Sequence, residues 1–191
     1  MIRVAVILFL FCLVACNNPA KNSEPVAVQA EANHGFFPVT SYLRGQIALI
    51  KSSGVNPLQI DSANGKVDST WLKIEELDTA FKDYLEPEID SVTLARFYTE
   101  DKFADETLGT YTFNYTALPT LPLEHPLKRW DLYISQETSN IKSIYFLKQY
   151  ADRELQLTWQ NNQSCKKVTI ATDKSARQFV ASTQIIKWNF D

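Results

Sequence analysis

Three cysteines and two histidines are the residues in this chain best suited to chemistry, and their spacing gives them little to work with. Cys12 lies inside an apolar run, Cys16 closes that run, and Cys165 stands alone far downstream. A thiol reacts as its thiolate, and Lys166 and Lys167 beside Cys165 have the charge that lowers a thiol pKa. An inert cysteine at the end of a hairpin is the simpler reading. His34 falls in a polar stretch, so His125, between Glu124 and Pro126, is the one histidine within a folded segment. Acid–base work at His125 needs partners from elsewhere in the fold. A Cys165–His125 nucleophile pair is open on residue type, with no local signature in its favour. The acids from Glu100 to Glu106 offer calcium-type oxygens, or two catalytic carboxylates in Asp101 and Asp105. Their spacing fits no EF-hand, nor does that of Asp61 to Asp68, and a solvated loop between two strands is the simpler reading. There is no HExxH, no cysteine pair and no GxSxG. One histidine and one cysteine also argue against a structural zinc site. The sequence therefore nominates no catalytic, cofactor-binding or metal-binding residue.

Cys16 is different, because what precedes it organises the chain. Met1, Ile2 and Arg3 give a short positive start, and residues 4–15 (VAVILFLFCLVA) are apolar without interruption. A spanning helix needs about 20 apolar residues, and this run stops well short at Asn17, Asn18 and Pro19. A positive start, an apolar stretch and small residues before a cleavage point make a secretory signal. Leu13-Val14-Ala15-Cys16 resembles the lipobox of bacterial lipoproteins at all four positions. The resemblance covers the signal alone. It implies a diacylglyceryl group on the Cys16 sulfur, cleavage before Cys16, and an acyl group such as palmitate on the new amine. The step calls for a thiol, since serine is a far poorer nucleophile. Several acyl chains, each methylene contributing about 0.8 kcal/mol, hold such a protein at the membrane. No acid appears between Cys16 and Glu24. By the sorting habits of lipoproteins, that implies an outer-membrane protein facing the periplasm.

Composition narrows the rest. Removing residues 1–15 takes away Arg3 and no acid, which leaves 18 basic against 22 acidic side chains, a net −4. That balance argues against nucleic acid, which asks for a basic stripe. It argues equally against a peripheral role built on anionic headgroups. Cys165 is the one thiol left once Cys12 departs and Cys16 is lipidated, so no internal disulfide is expected. Stability must come from packing, consistent with an aromatic share of 12%.

The elements emerge from periodicity. Residues 16–35 read as the lipidated cysteine and a flexible tether, rich in Asn, Ala, Pro and Glu. Residues 36–191 read as one domain. Val39, Leu43, Ile47 and Ile50 predict a helix over 38–52. Asn64-Gly65 predicts a tight hairpin. Ile74, Leu77, Phe81, Tyr84 and Leu85 predict a second helix over 73–85, closed by Glu86-Pro87. Beyond Ile89 the period becomes two, as in Tyr111, Phe113 and Tyr115, or Leu155, Leu157 and Trp159. The tyrosines, phenylalanines and tryptophans are expected in the core, with a ligand-lining role as the other possibility. Asn114 and Asn162 each open a glycosylation triplet, read as chance in a bacterial lipoprotein. The fold class expected is α+β: two N-terminal amphipathic helices packed on a curved antiparallel sheet, a meander of about six to seven strands.

The expected function is a membrane-anchored, periplasm-facing lipoprotein with a non-enzymatic protein-interaction domain, held by Cys16, with an envelope protein as partner and no cofactor. The alternative is a carrier or sensor of a small apolar ligand. That layout is similar to the half-barrel carriers that ferry lipoproteins, although no residue motif matches them. An envelope hydrolase using His125, Asp101 and Asp105 comes third.

Overall fold

Pro38, which has no N–H to leave unpaired, opens the long helix α1 (Val39–Ser52). The computed structural model describes residues 36–89 and 94–190. The signal, the lipobox with Cys16, the tether with His34, and Asp191 lie outside the described residues. Val39, Thr40, Leu43, Ile47 and Ile50 form the buried stripe of α1. Lys51 lies in its last turn, where a cation suits the helix dipole. Gly54 comes next at φ 72°, a left-handed conformation that releases the chain from the helix.

Strands β1 (Leu58–Ala63) and β2 (Lys66–Trp71) form the hairpin. Asn64 and Gly65 sit at φ 52° and 73°, the positive pair that a two-residue turn between twisted strands requires.

The α+β expectation of two helices on a six- to seven-stranded sheet is wrong on both counts. Residues 73–85 form no continuous helix. They make a 3-10 turn (Ile74–Glu76) and two four-residue helical turns, α2 (Leu77–Ala80) and α3 (Lys82–Leu85). The break is Phe81, at φ −96° and ψ 3°. It lets Phe81 and Tyr84 both reach Trp159, at centroid distances of 5.2 and 5.7 Å. The glutamate side chain of Glu76 accepts the Lys73 N–H at 2.9 Å and fixes the entry.

A single sheet of nine antiparallel strands dominates, in place of six or seven under two helices. After a 3-10 turn at Ala95–Phe97 come β3 (Tyr98–Asp105), β4 (Thr110–Ala117), β5 (Leu127–Ser135), β6 (Ile141–Gln149), β7 (Arg153–Gln160), β8 (Ser164–Thr172) and β9 (Gln178–Lys187). These seven pair in sequence order, and β1 then joins β9, leaving β2 and β3 as the two edges. The stretch read as a charged loop, Glu100 to Asp105, is edge strand β3 itself. Charge on an edge discourages pairing with another chain, and it also hides the strand's alternation.

The two faces of the sheet differ. Tyr115, Trp130, Leu132, Ile144, Phe146, Leu157, Trp159 and Ile186 point to the face that α1 and the short turns cover. Phe36 stands edge-on to Tyr115 and Trp130 at 4.9 and 5.7 Å, and Trp159 meets Trp188 at 4.8 Å. The opposite face is covered by no element among the described residues. The turns β1–β2, β4–β5, β6–β7 and β8–β9 share one end of the sheet, here the upper end; β3–β4, β5–β6 and β7–β8 turn at the lower end.

Candidate functional site

The residues nominated for chemistry are kept apart. Cys165 is the second residue of β8, at the lower end, and His125 is in the β4–β5 loop at the upper end. His125 lies near Tyr98, its Nδ1 3.4 Å from the phenolic oxygen, while the Tyr98 O–H donates to the Leu127 carbonyl at 2.8 Å. Burial holds the imidazole pKa below its ordinary value, and Lys128 adds to that. Asp101 and Asp105 occupy edge strand β3, on the uncovered face with Phe103 between them. Asp105 Oδ1 accepts the Leu108 N–H at 3.0 Å and serves the turn. The structure therefore assembles neither the Cys165–His125 pair nor a paired-carboxylate centre from these residues. Among the described residues, no group of three or more His, Cys, Asp or Glu could hold a metal ion.

Cys165 is buried against Trp159 and Ile186. Burial pushes its thiol up to about 12, against a smaller lowering from Tyr84, the Ile186 backbone and Lys167. The lysines were the reason to expect activation. Lys166 points to the uncovered face, and Lys167 Nζ spends its charge on Asp83 Oδ2 at 2.9 Å. Since the thiolate reacts, a thiol raised from 9.0 to about 12 should react roughly 1,000-fold more slowly at neutral pH. Labelling of native protein with an aromatic disulfide should accordingly be slow, and complete within seconds in denaturant. Rapid native labelling would show that this thiol is not held as described.

Two polar centres escaped the sequence reading. Lys148 is 2% exposed, on the covered face, in line with Ile144 and Phe146. Its Nζ donates to the carbonyls of Asp83 and Glu86, at the end of α3 where helical carbonyls lack partners. Desolvation lowers its pKa to about 8, offset in part by Asp83 and Glu86. A lysine on the apolar phase of a strand was the available signal.

The second centre lies on the uncovered face. Asp131 is 1% exposed there, shielded by its neighbours. Asn114 Nδ2 and Arg129 Nε both donate to its Oδ1, at 2.6 and 2.8 Å. Tyr133 stands 3.5 Å from Oδ2. Burial, then Asp131, raises the Tyr133 pKa above its ordinary value; burial, then Glu154, does so for Tyr145. Both phenols thus stay protonated well into the alkaline range. Around them, Ser143, Gln156, Thr158 and Gln160 complete a hydrogen-bonding half of this face, over β4 to β7. The other half, over β8, β9, β1 and β2, presents Val168, Ile170, Ile185, Ile60, Val67 and Trp71. Such an arrangement can recognise and hold a surface; it places no acid–base pair about a cleft.

On the covered face, a shallow cleft of about 290 Å³ is lined by Phe36, Phe37, Phe113, Leu132 and Ile134, with Glu100 and Lys102 alongside. Ligand pockets commonly run from about 300 to 1,000 Å³, so it falls just under that range.

Comparison with family models, with curated proteins and with solved structures finds no match to this chain. Among the described residues, no helix is long and apolar enough to cross a membrane.

Proposed function

We propose that this chain is a lipid-anchored protein of the bacterial cell envelope, facing the periplasm from the outer membrane, whose domain binds a protein partner without catalysis. The anchor reading rests on the lipobox resemblance at Leu13-Val14-Ala15-Cys16 and on the apolar run before it. The binding reading rests on one observation above the others. The sheet has a second face that no described element covers, one half built of hydrogen-bonding side chains and the other mixing aliphatic residues and Trp71 with Ser62, Ser69, Lys166 and Thr183. Protein interfaces mix apolar and polar surface in this way, with arginine and tyrosine favoured, as at Arg129, Tyr133 and Tyr145.

The small-ligand carrier is less well supported. A half-barrel carrier needs room between its helices and its sheet, and here Phe36, Phe81, Trp130 and Trp159 fill that layer. The hydrolase is weaker still, because His125 and Cys165 sit at opposite ends of the sheet and Asp101 and Asp105 on an edge strand.

The test is a gentle-detergent pull-down of the tagged full-length chain from its own envelope. A stoichiometric protein partner is expected with the natural chain. It should be lost when Gln156→Arg and Val168→Lys obstruct the uncovered face. It should be retained in Leu49→Ala, which alters an exposed position on α1 at the covered side. A solitary chain would sink the binding reading.

A further inference from the structure

The whole-chain charge of −3 conceals an uneven distribution. Between Ser164 and Phe190 the chain carries Lys166, Lys167, Lys174, Arg177 and Lys187 against Asp173 alone. Two of these cations stand at the tip of the β8–β9 hairpin. Strand β9 outruns its neighbour there: Ala63, the end of β1, pairs with Ser182, so Gln178 to Ala181 have β8 on one side only. Phe179 and Val180 point to opposite faces, and both are bare, at 51% and 60% exposed. Beside them, at the same upper end, the β1–β2 hairpin shows Lys66 and Val67, the latter 70% exposed. Asp173 is engaged within the turn, accepting from the Ser175 and Arg177 N–H groups and from the Arg177 guanidinium. Lys66 and Lys174 have no counter-ion among the described ion pairs.

The first described residues also lie towards the upper end. Phe36, the first described residue, packs on Tyr115 and Trp130, each close to the upper end of its strand. Projecting apolar side chains flanked by Lys66 and Lys174 suit a membrane surface, where rings enter the headgroup region and lysines meet anionic lipid.

We propose that these two adjacent hairpin tips, Lys66 with Val67 and Lys174 to Val180, rest on an anionic phospholipid bilayer and orient the domain. The inference rests on the reading that Cys16 carries the anchoring lipid. With the upper end down, the uncovered face stands upright to the bilayer and stays accessible to a partner.

The experiment uses the full lipidated chain in vesicles, with Ser175→Cys carrying an environment-sensitive fluorophore. Vesicles of phosphatidylcholine alone are compared with vesicles of three parts phosphatidylcholine to one part phosphatidylglycerol. In the anionic vesicles, quenching by aqueous iodide should fall about fivefold and quenching by spin-labelled lipid should appear. Lys174→Glu combined with Phe179→Ser should return both values to those of neutral vesicles, with the chain still vesicle-bound. Equal iodide quenching in the two compositions, on chain that remains bound, would overturn the tip contact and leave the anchor intact. Chain washed off the vesicles at high salt would overturn the anchor, and the tip contact with it. Protection that grows with protein density at fixed lipid would assign the tips to a second copy, and the proposal would fall.

Discussion

Trp159→Ala should lower the unfolding free energy by about 4 kcal/mol, the largest single-site loss expected in this domain. The indole is fully buried, and Phe81, Tyr84 and Trp188 meet it at 5.2, 5.7 and 4.8 Å. Truncation removes its apolar surface from the core and strands three rings around the void, which can collapse only in part. Phe81 and Tyr84 come from the short turns and Trp188 from beyond β9, so one side chain ties three segments together. Urea unfolding at neutral pH measures the loss. Trp71→Ala provides the contrast: this tryptophan is 58% exposed and meets the Phe190 ring at 5.7 Å, and its removal should cost about 1 kcal/mol. Similar losses at the two positions would contradict the assignment of the two faces.

Lys148→Met should change how stability responds to pH. A lysine ordinarily holds its proton up to 10.5, and burial brings Lys148 down to about 8. Between those values the unfolded chain holds one proton more than the folded chain, so the folded state gains stability as pH rises. The gain amounts to about 3 kcal/mol across the window, and it is absent below pH 8. Other groups oppose it. Cys165, raised from 9.0 to about 12, makes stability fall as pH climbs above 9. Tyr84 and Tyr98, raised from 10.0 by burial, do the same above 10. The natural chain should therefore gain from pH 8 to 9 and then level off, while Lys148→Met should only decline. The difference between their unfolding free energies is the quantity to track from pH 7.5 to 10.5. It should move by about 3 kcal/mol in favour of the natural chain. Parallel profiles would mean that Lys148 titrates like an exposed lysine.

Much of the sheet was legible in the sequence because half-buried antiparallel strands write their two faces in alternation. Leu155, Leu157 and Trp159 are buried as their spacing implied. Tyr111 shares the phase of Tyr115 yet is 49% exposed, since periodicity assigns a face and leaves open how far the helical layer extends over it. The second helix failed for a related reason. Its apolar spacing was helical, but a segment of that length has little intrinsic stability, and packing Phe81 and Tyr84 onto one indole decided its course. Edge strand β3 was hidden by its charges. That β1 joins β9 depends on contacts such as Ile60 with Ile185, which local pattern does not encode. Of the two polar centres, Lys148 left a trace as a charge in the apolar phase. Asp131 left none: its position in the polar phase is ordinary, and only the side chains gathered over it make it buried.

The pairing of Leu58 with Lys187 joins the first described strand residue to the last. From β4 to β9 each strand pairs with the one before it, so the seven strands β3 to β9 can assemble hairpin by hairpin as they emerge. The β1–β2 hairpin cannot. It must wait, with its inner edge unpaired, until β9 arrives and closes a loop that spans almost the entire domain. A chain emerging from the N-terminus thus keeps an open edge through most of its transit, and the final strand acts as the latch.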